Sequence, residues 1–203
     1  MNDVSKLTLS ADEQLLVSNS QWIFMKRSIL DKATIMMSNL IVKMKPAITG
    51  AKDYLTEEAR HSEPKIYKGE NYRMLPYVLL DYPRVFDKKN ILALRTLCWW
   101  GNFFSITLHL SGSYKLRYEK VLTGKADILQ RGDYYICKNE DQWQHHFEPL
   151  NYCLAKDKTR RELKNIILQK DFIKIARKFQ LQDWNEMPAI LEKTFPEFLE
   201  LIK

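Results

Sequence analysis

The chain has 203 residues, 45% of them apolar, 28% charged and 12% aromatic. This length and apolar content exclude a disordered chain. A domain of this size buries roughly 70% of its extended surface, so it needs no metal or disulfide staples. The formal net charge of +7 permits a polyanionic partner without requiring one.

The three cysteines, Cys98, Cys137 and Cys153, form no CxxC pair and lie in apolar surroundings. That usage suits reduced interior thiols and a cytoplasmic location. The stretch MNDVSKLTLSADEQ has the layout of neither a signal peptide nor a transit peptide.

Helix comes first. Ser10 with Glu13 makes a capping box, in which each side chain satisfies the other's backbone N–H. Ser18-Asn19-Ser20 offers a fresh helix start. Apolar side chains then fall at 22, 25, 29, 33, 36/37, 40, 44, 47/48, 51 and 55, steps of three and four that make one helical stripe. Pro46 lacks the N–H for a mid-helix bond, which predicts a kink or break just before it. Met25, Met36, Met37 and Met44 read as adaptable core filler.

Pro64, Gly69, Pro76 and Pro83 then exclude a continuous helix over 61–86. Short strands fit 65–67 and 77–81, joined at Gly69-Glu70-Asn71. Tyrosines recur at 67, 72, 77 and 82, a spacing that matches neither regular element and reads as coincidence. A long irregular segment here would be a place for function.

The run from Thr96 to Tyr114 carries no formal charge, yet its Gly-Asn pair and alternating Ser, Thr and His argue against a membrane span. With Gly101-Asn102 as a two-residue type II′ turn, Trp100 pairs with Phe103, Cys98 with Ser105 and Arg95 with Leu108. One face then holds Leu97, Trp99, Phe104, Ile106 and Leu108, the core side. The other holds Thr96, Cys98, Trp100, Phe103, Ser105, Thr107 and His109.

Residues 113–122 fit a third strand or a short helix. DYYICK (133–138) and QWQHHF (142–147) alternate as a hairpin around Asn139-Glu140-Asp141, and NYCLAK (151–156) adds a strand. Thr159 with Glu162 is a second capping box, opening a helix with Leu163, Ile166 and Ile167 inward. Asp171 caps its continuation through Ile173, Ala176 and Phe179. Asn185 and the Thr194/Glu197 pair, with Pro196, mark two short closing helices.

Helices, then strands, then helices indicate the α+β class. The expected architecture is one domain over 1–203, with a long kinked N-terminal helix, an antiparallel meander of about four to six strands, and C-terminal helices. The helices cover one sheet face.

Local motifs for nucleotide, hydrolase, zinc, redox and calcium chemistry (GxGxxG, P-loop, GxSxG, HExxH, CxxC, EF-hand) are missing from the chain. No spacing demands a metal site from His109, one of His145 and His146, and Cys137 or Cys153, so neither metal nor cofactor is expected. A Cys98–His109 nucleophile pair is out of reach in the hairpin register above.

The mixed aromatic and polar face is the better candidate. Trp100, Phe103, Thr107 and His109 would line a pocket, with Arg73, Arg84 and Arg95 supplying charge for an anionic ligand. The leading expectation is a domain that binds a small molecule or a protein partner on this face. An exposed aromatic face would also favour a homodimer. One alternative is nucleic-acid binding through a basic helix over 156–178, with nine Lys/Arg against three Asp/Glu. The other is an enzyme with a dispersed site (Arg73, Arg84, His109) acting on an anionic substrate.

Overall fold

The computed structural model describes residues 7–203, so the leading MNDVSK lies outside the described residues. Helix α1, Ala11–Val17, starts on the expected capping box: Ser10 Oγ accepts from the Glu13 N–H, and Glu13 accepts from the Ser10 N–H at 2.7 Å. Asn19 then caps α2, Ser20–Gly50, its side-chain oxygen accepting from the N–H groups of Gln21 and Trp22.

The stripe of α2 buries Ala33, Met36, Met37, Leu40, Met44 and Ile48. Its first steps, Trp22 and Met25, stay exposed. The helix does not break at Pro46. Pro46 lies on the solvent side with Val42, so water can take the carbonyl bond that the proline leaves unmade.

The sheet is antiparallel throughout, its strands lying side by side in the order 65–72, 75–86, 91–99, 103–111, 172–180, 135–137 and 152–154. Strands β1 to β4 (Lys65–Tyr72, Leu75–Phe86, Ile91–Trp99, Phe103–Ser111) form a meander preceded by the short helix α3, Glu57–Arg60. Residues 113–122 belong to helix α4, Gly112–Gly124, followed by α5, Ala126–Arg131. Then come β5 (Tyr135–Cys137), β6 (Tyr152–Leu154), α6 (Arg160–Gln169), β7 (Phe172–Gln180) and α7 (Met187–Glu200). The chain is α+β. No described helix is long and apolar enough to cross a membrane.

Both sheet faces are buried, by different means. Leu92, Leu94 and Cys98 of β3 and Phe104, Ile106, Leu108 and Leu110 of β4 pack under the helices in the main core. The opposite face carries Leu79, Leu97, Trp99 and Phe103 in one cluster and Tyr152, Phe172 and Ala176 in another. Residues 138–151, which have no helix or strand, cover that face.

Four expectations are corrected. The β3–β4 turn has three residues rather than two: Trp99 pairs with Phe103, Cys98 with Phe104 and Arg95 with Thr107. Asn102 N–H bonds to Trp99 C=O at 3.0 Å and Gly101 has φ +77°, so glycine fills the third position of a type II turn rather than the second of a II′ turn. Both turns want glycine at positive φ, and a one-residue slip exchanges the faces of β3. The sets within β4 survive; Leu97 and Trp99 join Phe103 and His109, whereas Thr96 and Cys98 join Phe104.

QWQHHF forms no strand. β5 pairs with β6 across the whole 138–151 segment. Nor does the chain stay helical after Asp171: β7 lies inside the sheet, between β4 and β5. FIKIARKFQ fits both periods, because Ile173, Ala176 and Phe179 are three apart while Ile173 and Ile175 alternate with Phe172, Lys174 and Ala176. Its inward lysine hid the alternation. The basic stretch 156–178 is therefore a helix and a strand, not one helical face.

At the end of the chain a single helix replaces the two short ones, with Pro196 inside it.

Candidate functional site

The face opposite the helices holds a cleft of about 390 Å³ lined mainly by β1, β2 and β3. A register shift in β2 between Asp81 and Arg84 makes it. Alternation brings Tyr77, Leu79 and Asp81 to this face. The extra residue of the bulge then restores Arg84 and Phe86 to the same side, opposite Ala93 and Ile91. Pro83 is tolerated within β2 because it falls at that irregularity.

Gly69 gives the cleft its aromatic wall. It pairs with Tyr77 across β1–β2, and a Cβ at Gly69 would lie 2.4 Å from the Tyr77 ring. Only glycine lets that ring lie over the strand. Tyr72 completes the wall, edge-on to Tyr77 at 6.4 Å and to Trp99 at 4.9 Å.

The charges are unequal. Asp81 and Arg95 form a buried bidentate pair, Arg95 Nε and Nη2 each donating at 2.8 Å. Arg95 Nη1 lies 3.2 Å from His145 Nε2. Since arginine can only donate, Nε2 is the acceptor and the His145 proton sits on Nδ1. Burial, followed by the charges of Lys174 and Arg95, holds His145 well below the usual histidine range, so it is neutral.

Arg84 has no carboxylate partner among the described residues; its Nε is buried without a hydrogen bond, and its guanidinium lies 5.3 Å over the Phe86 ring. With Asp81 cancelled by Arg95, one positive charge remains in the lining.

The cover is pinned from below. Lys174, on β7 opposite His109, is buried and donates to the carbonyls of Gln142 (3.0 Å) and Gln144. No carboxylate neutralises it among the described residues, and burial lowers it to about 8. His109 Nε2 meets Gln142 Oε1 at 2.9 Å, and burial pushes His109 down to about 3. The neutral ring therefore donates from Nε2. The Tyr72 hydroxyl accepts the N–H groups of His145 (2.7 Å) and His146 (3.1 Å). Burial raises Tyr72, so its own O–H remains a donor. Trp143, which lines the cleft, stacks on Phe86 at 6.5 Å.

Of the side chains singled out in the sequence, Arg84 and Arg95 line the cleft. Arg73 sits in the β1–β2 turn, 45% exposed and paired with Glu148. Trp100 lies in the β3–β4 turn, 6.0 Å from Trp22, beside a different cavity that Cys98 and Trp184 share. Phe103 is packed edge-on between Trp99 and Phe147. Thr107 is hydrogen-bonded to fully buried Tyr152, and His109 lies beneath Gln142 and Trp143.

Cys98 and His109 fall on opposite faces, and burial pushes the Cys98 thiol up to about 12. The face that carries Phe103, Thr107 and His109 is covered by 138–151 rather than by helices. No group of three or more His, Cys, Asp or Glu able to hold a metal occurs among the described residues.

Sequence reasoning missed Asp81, Phe86, Trp143, His145 and three tyrosines. One signal was present: Tyr67, Tyr72 and Tyr77 all line the cleft, whereas Tyr82, beyond the alternation, enters the helix-side core. Their spacing of five is not coincidence, because an irregularity between Gly69 and Tyr72 and the β1–β2 turn bring all three together. The chain matches no known protein-family model, no curated protein and no solved structure.

Proposed function

We propose that the protein binds a small aromatic monoanion, such as an aryl or heteroaryl carboxylate, in the Tyr67/Tyr72/Tyr77 cleft. The observation that carries this reading is Arg84: a guanidinium without a carboxylate, against an aromatic wall, in a lining whose other charges cancel. The unpaired Arg84 guanidinium and the Tyr72 O–H are donors, and a carboxylate accepts from both kinds. The rings of Tyr67, Tyr77, Phe86 and Trp143 offer edge and face contacts to a flat ligand. A volume of about 390 Å³ lies near the small end of ligand sites. A reducing, cytoplasmic setting belongs to this reading, supported by three unpaired thiols.

A panel of benzoate, phenylacetate and indole-3-acetate, each beside its neutral amide, tests it by thermal shift. The acids are expected to raise the melting temperature of the wild type and the amides to leave it unchanged. Arg84→Gln should abolish the difference. Equal shifts from acid and amide would refute the reading.

A further inference from the structure

We infer that α1 and the first turns of α2 form a two-fold interface with a second copy of this chain. Helix α1 is capped at both ends yet buries no residue. Seven residues is too short for a helix to be stable alone in water, so its packing surface is incomplete in one chain. Leu15 (71% exposed), Leu16 (52%) and Val17 (67%) lie on it, and Ile23, Phe24 and Met25 continue the apolar surface at 48% to 58%. With Trp22, each has on the order of 100 Å² left to bury. The part of this surface that one side of the helices presents is a substantial share of the ~800 Å² per partner of a stable interface.

Charge selects the occupant. Asp12 and Glu13 open the segment, and no charged residue occurs from 14 to 25. Lys26, which pairs with Glu70 of its own chain, and Arg27, unpaired among the described residues, close it. Laid antiparallel on itself about a two-fold axis, the segment sets its acidic end against the basic end of the second copy, and its uncharged centre against the same centre. An isologous interface demands that self-complementarity. Asp12 and Arg27 are both exposed and have no ion-pair partner among the described residues. The surface is separate from the cleft, so this interface stands or falls independently of ligand binding.

Sedimentation equilibrium of the full chain between about 1 and 100 µM, bracketing micromolar affinity, tests it. The expected species is a dimer of the 24.1 kDa chain. Leu16→Glu with Phe24→Glu should weaken association at least about tenfold, with the circular dichroism of the folded domain retained. Asp12→Lys alone and Arg27→Glu alone should each weaken it by roughly threefold or more, and the two together in one chain should restore it. A wild-type monomer throughout the range, with or without binding to anionic vesicles, would overturn the proposal. So would single charge changes without effect, or a double change that fails to restore association.

Discussion

His109 and Lys174 face each other across β4 and β7 beneath a cover that offers them an amide and two carbonyls, but no carboxylate. Their consequences for pH share a sign: burial lowers both bases, so each makes stability rise with pH, His109 up to about 6.5 and Lys174 between about 8 and 10.5. His109 is held at about 3 in the folded protein against an ordinary value near 6.5. The unfolded chain thus binds a proton between those values that the folded chain refuses. Stability from this site is complete above about pH 6.5 and is lost as pH falls toward 3. His145, depressed by the same burial, acts in the same direction. Denaturant titrations at several pH values should show a falling midpoint below pH 6.5, and His109→Gln should make that fall shallower. An unchanged slope in the variant would mean that the ring is not buried neutral.

The thiol of Cys98 supplies a chemical check at the same scale. Held near 12 by burial alone, it has almost no thiolate at neutral pH. Iodoacetamide should label Cys98 in the folded protein far more slowly than in urea. Rapid labelling would contradict its place beneath the helices.

Among the elements, the 138–151 segment has no helix or strand of its own and is held by polar contacts from Tyr72, His109 and Lys174. Lys174→Met tests the arrangement. The change removes a costly buried charge, so global stability need not fall by the full ~1–3 kcal/mol of two stranded carbonyls. The local effect is unambiguous: amide exchange at residues 142–147 should accelerate well beyond that of β4. The β3–β4 turn makes a second prediction. Gly101→Ala places a side chain at φ +77° and should cost about 1–2 kcal/mol, whereas Asn102→Ala should cost less.

Elements whose signals are local were legible. The two capping boxes and the Asn19 helix start form where the side chains dictate them, and the long stripe of α2 needs only its own period. The partition of β4 survived because alternation within a strand is local as well. Pairing between strands was not legible to the same degree. A glycine at positive φ serves two turn types that differ by one residue, and that residue decides which side chains of β3 share a face with His109. The cleft was harder still, since it needs a bulge in β2, the missing Cβ of Gly69 and a cover from 70 residues downstream. β7 was misread because a strand buried on both faces lacks the polar alternation that distinguishes strand from helix.

For the molecule as a whole, the net charge of +7 is less available than it looks. Within 156–178, Lys156, Lys158, Arg160, Lys170 and Arg177 pair with Asp133, Glu162, Asp127, Glu140 and Glu197, and Lys174 is buried. Retention on heparin should be weak and should change little between about 50 and 200 mM salt, the range over which phosphate contacts lose most of their affinity. Steep salt dependence would favour the nucleic-acid reading instead.

The cleft and the apolar N-terminal helices lie on different parts of the molecule. That separation suits a binding domain whose association state and ligand occupancy are set independently. Isothermal titration of benzoate and of benzamide into the wild type and Arg84→Gln decides the central claim about the cleft. Benzoate should bind the wild type and benzamide should not, and the variant should lose about 10- to 100-fold in benzoate affinity, the worth of one charged hydrogen bond. Benzoate binding that is absent, matched by benzamide, or indifferent to the loss of Arg84 would contradict it.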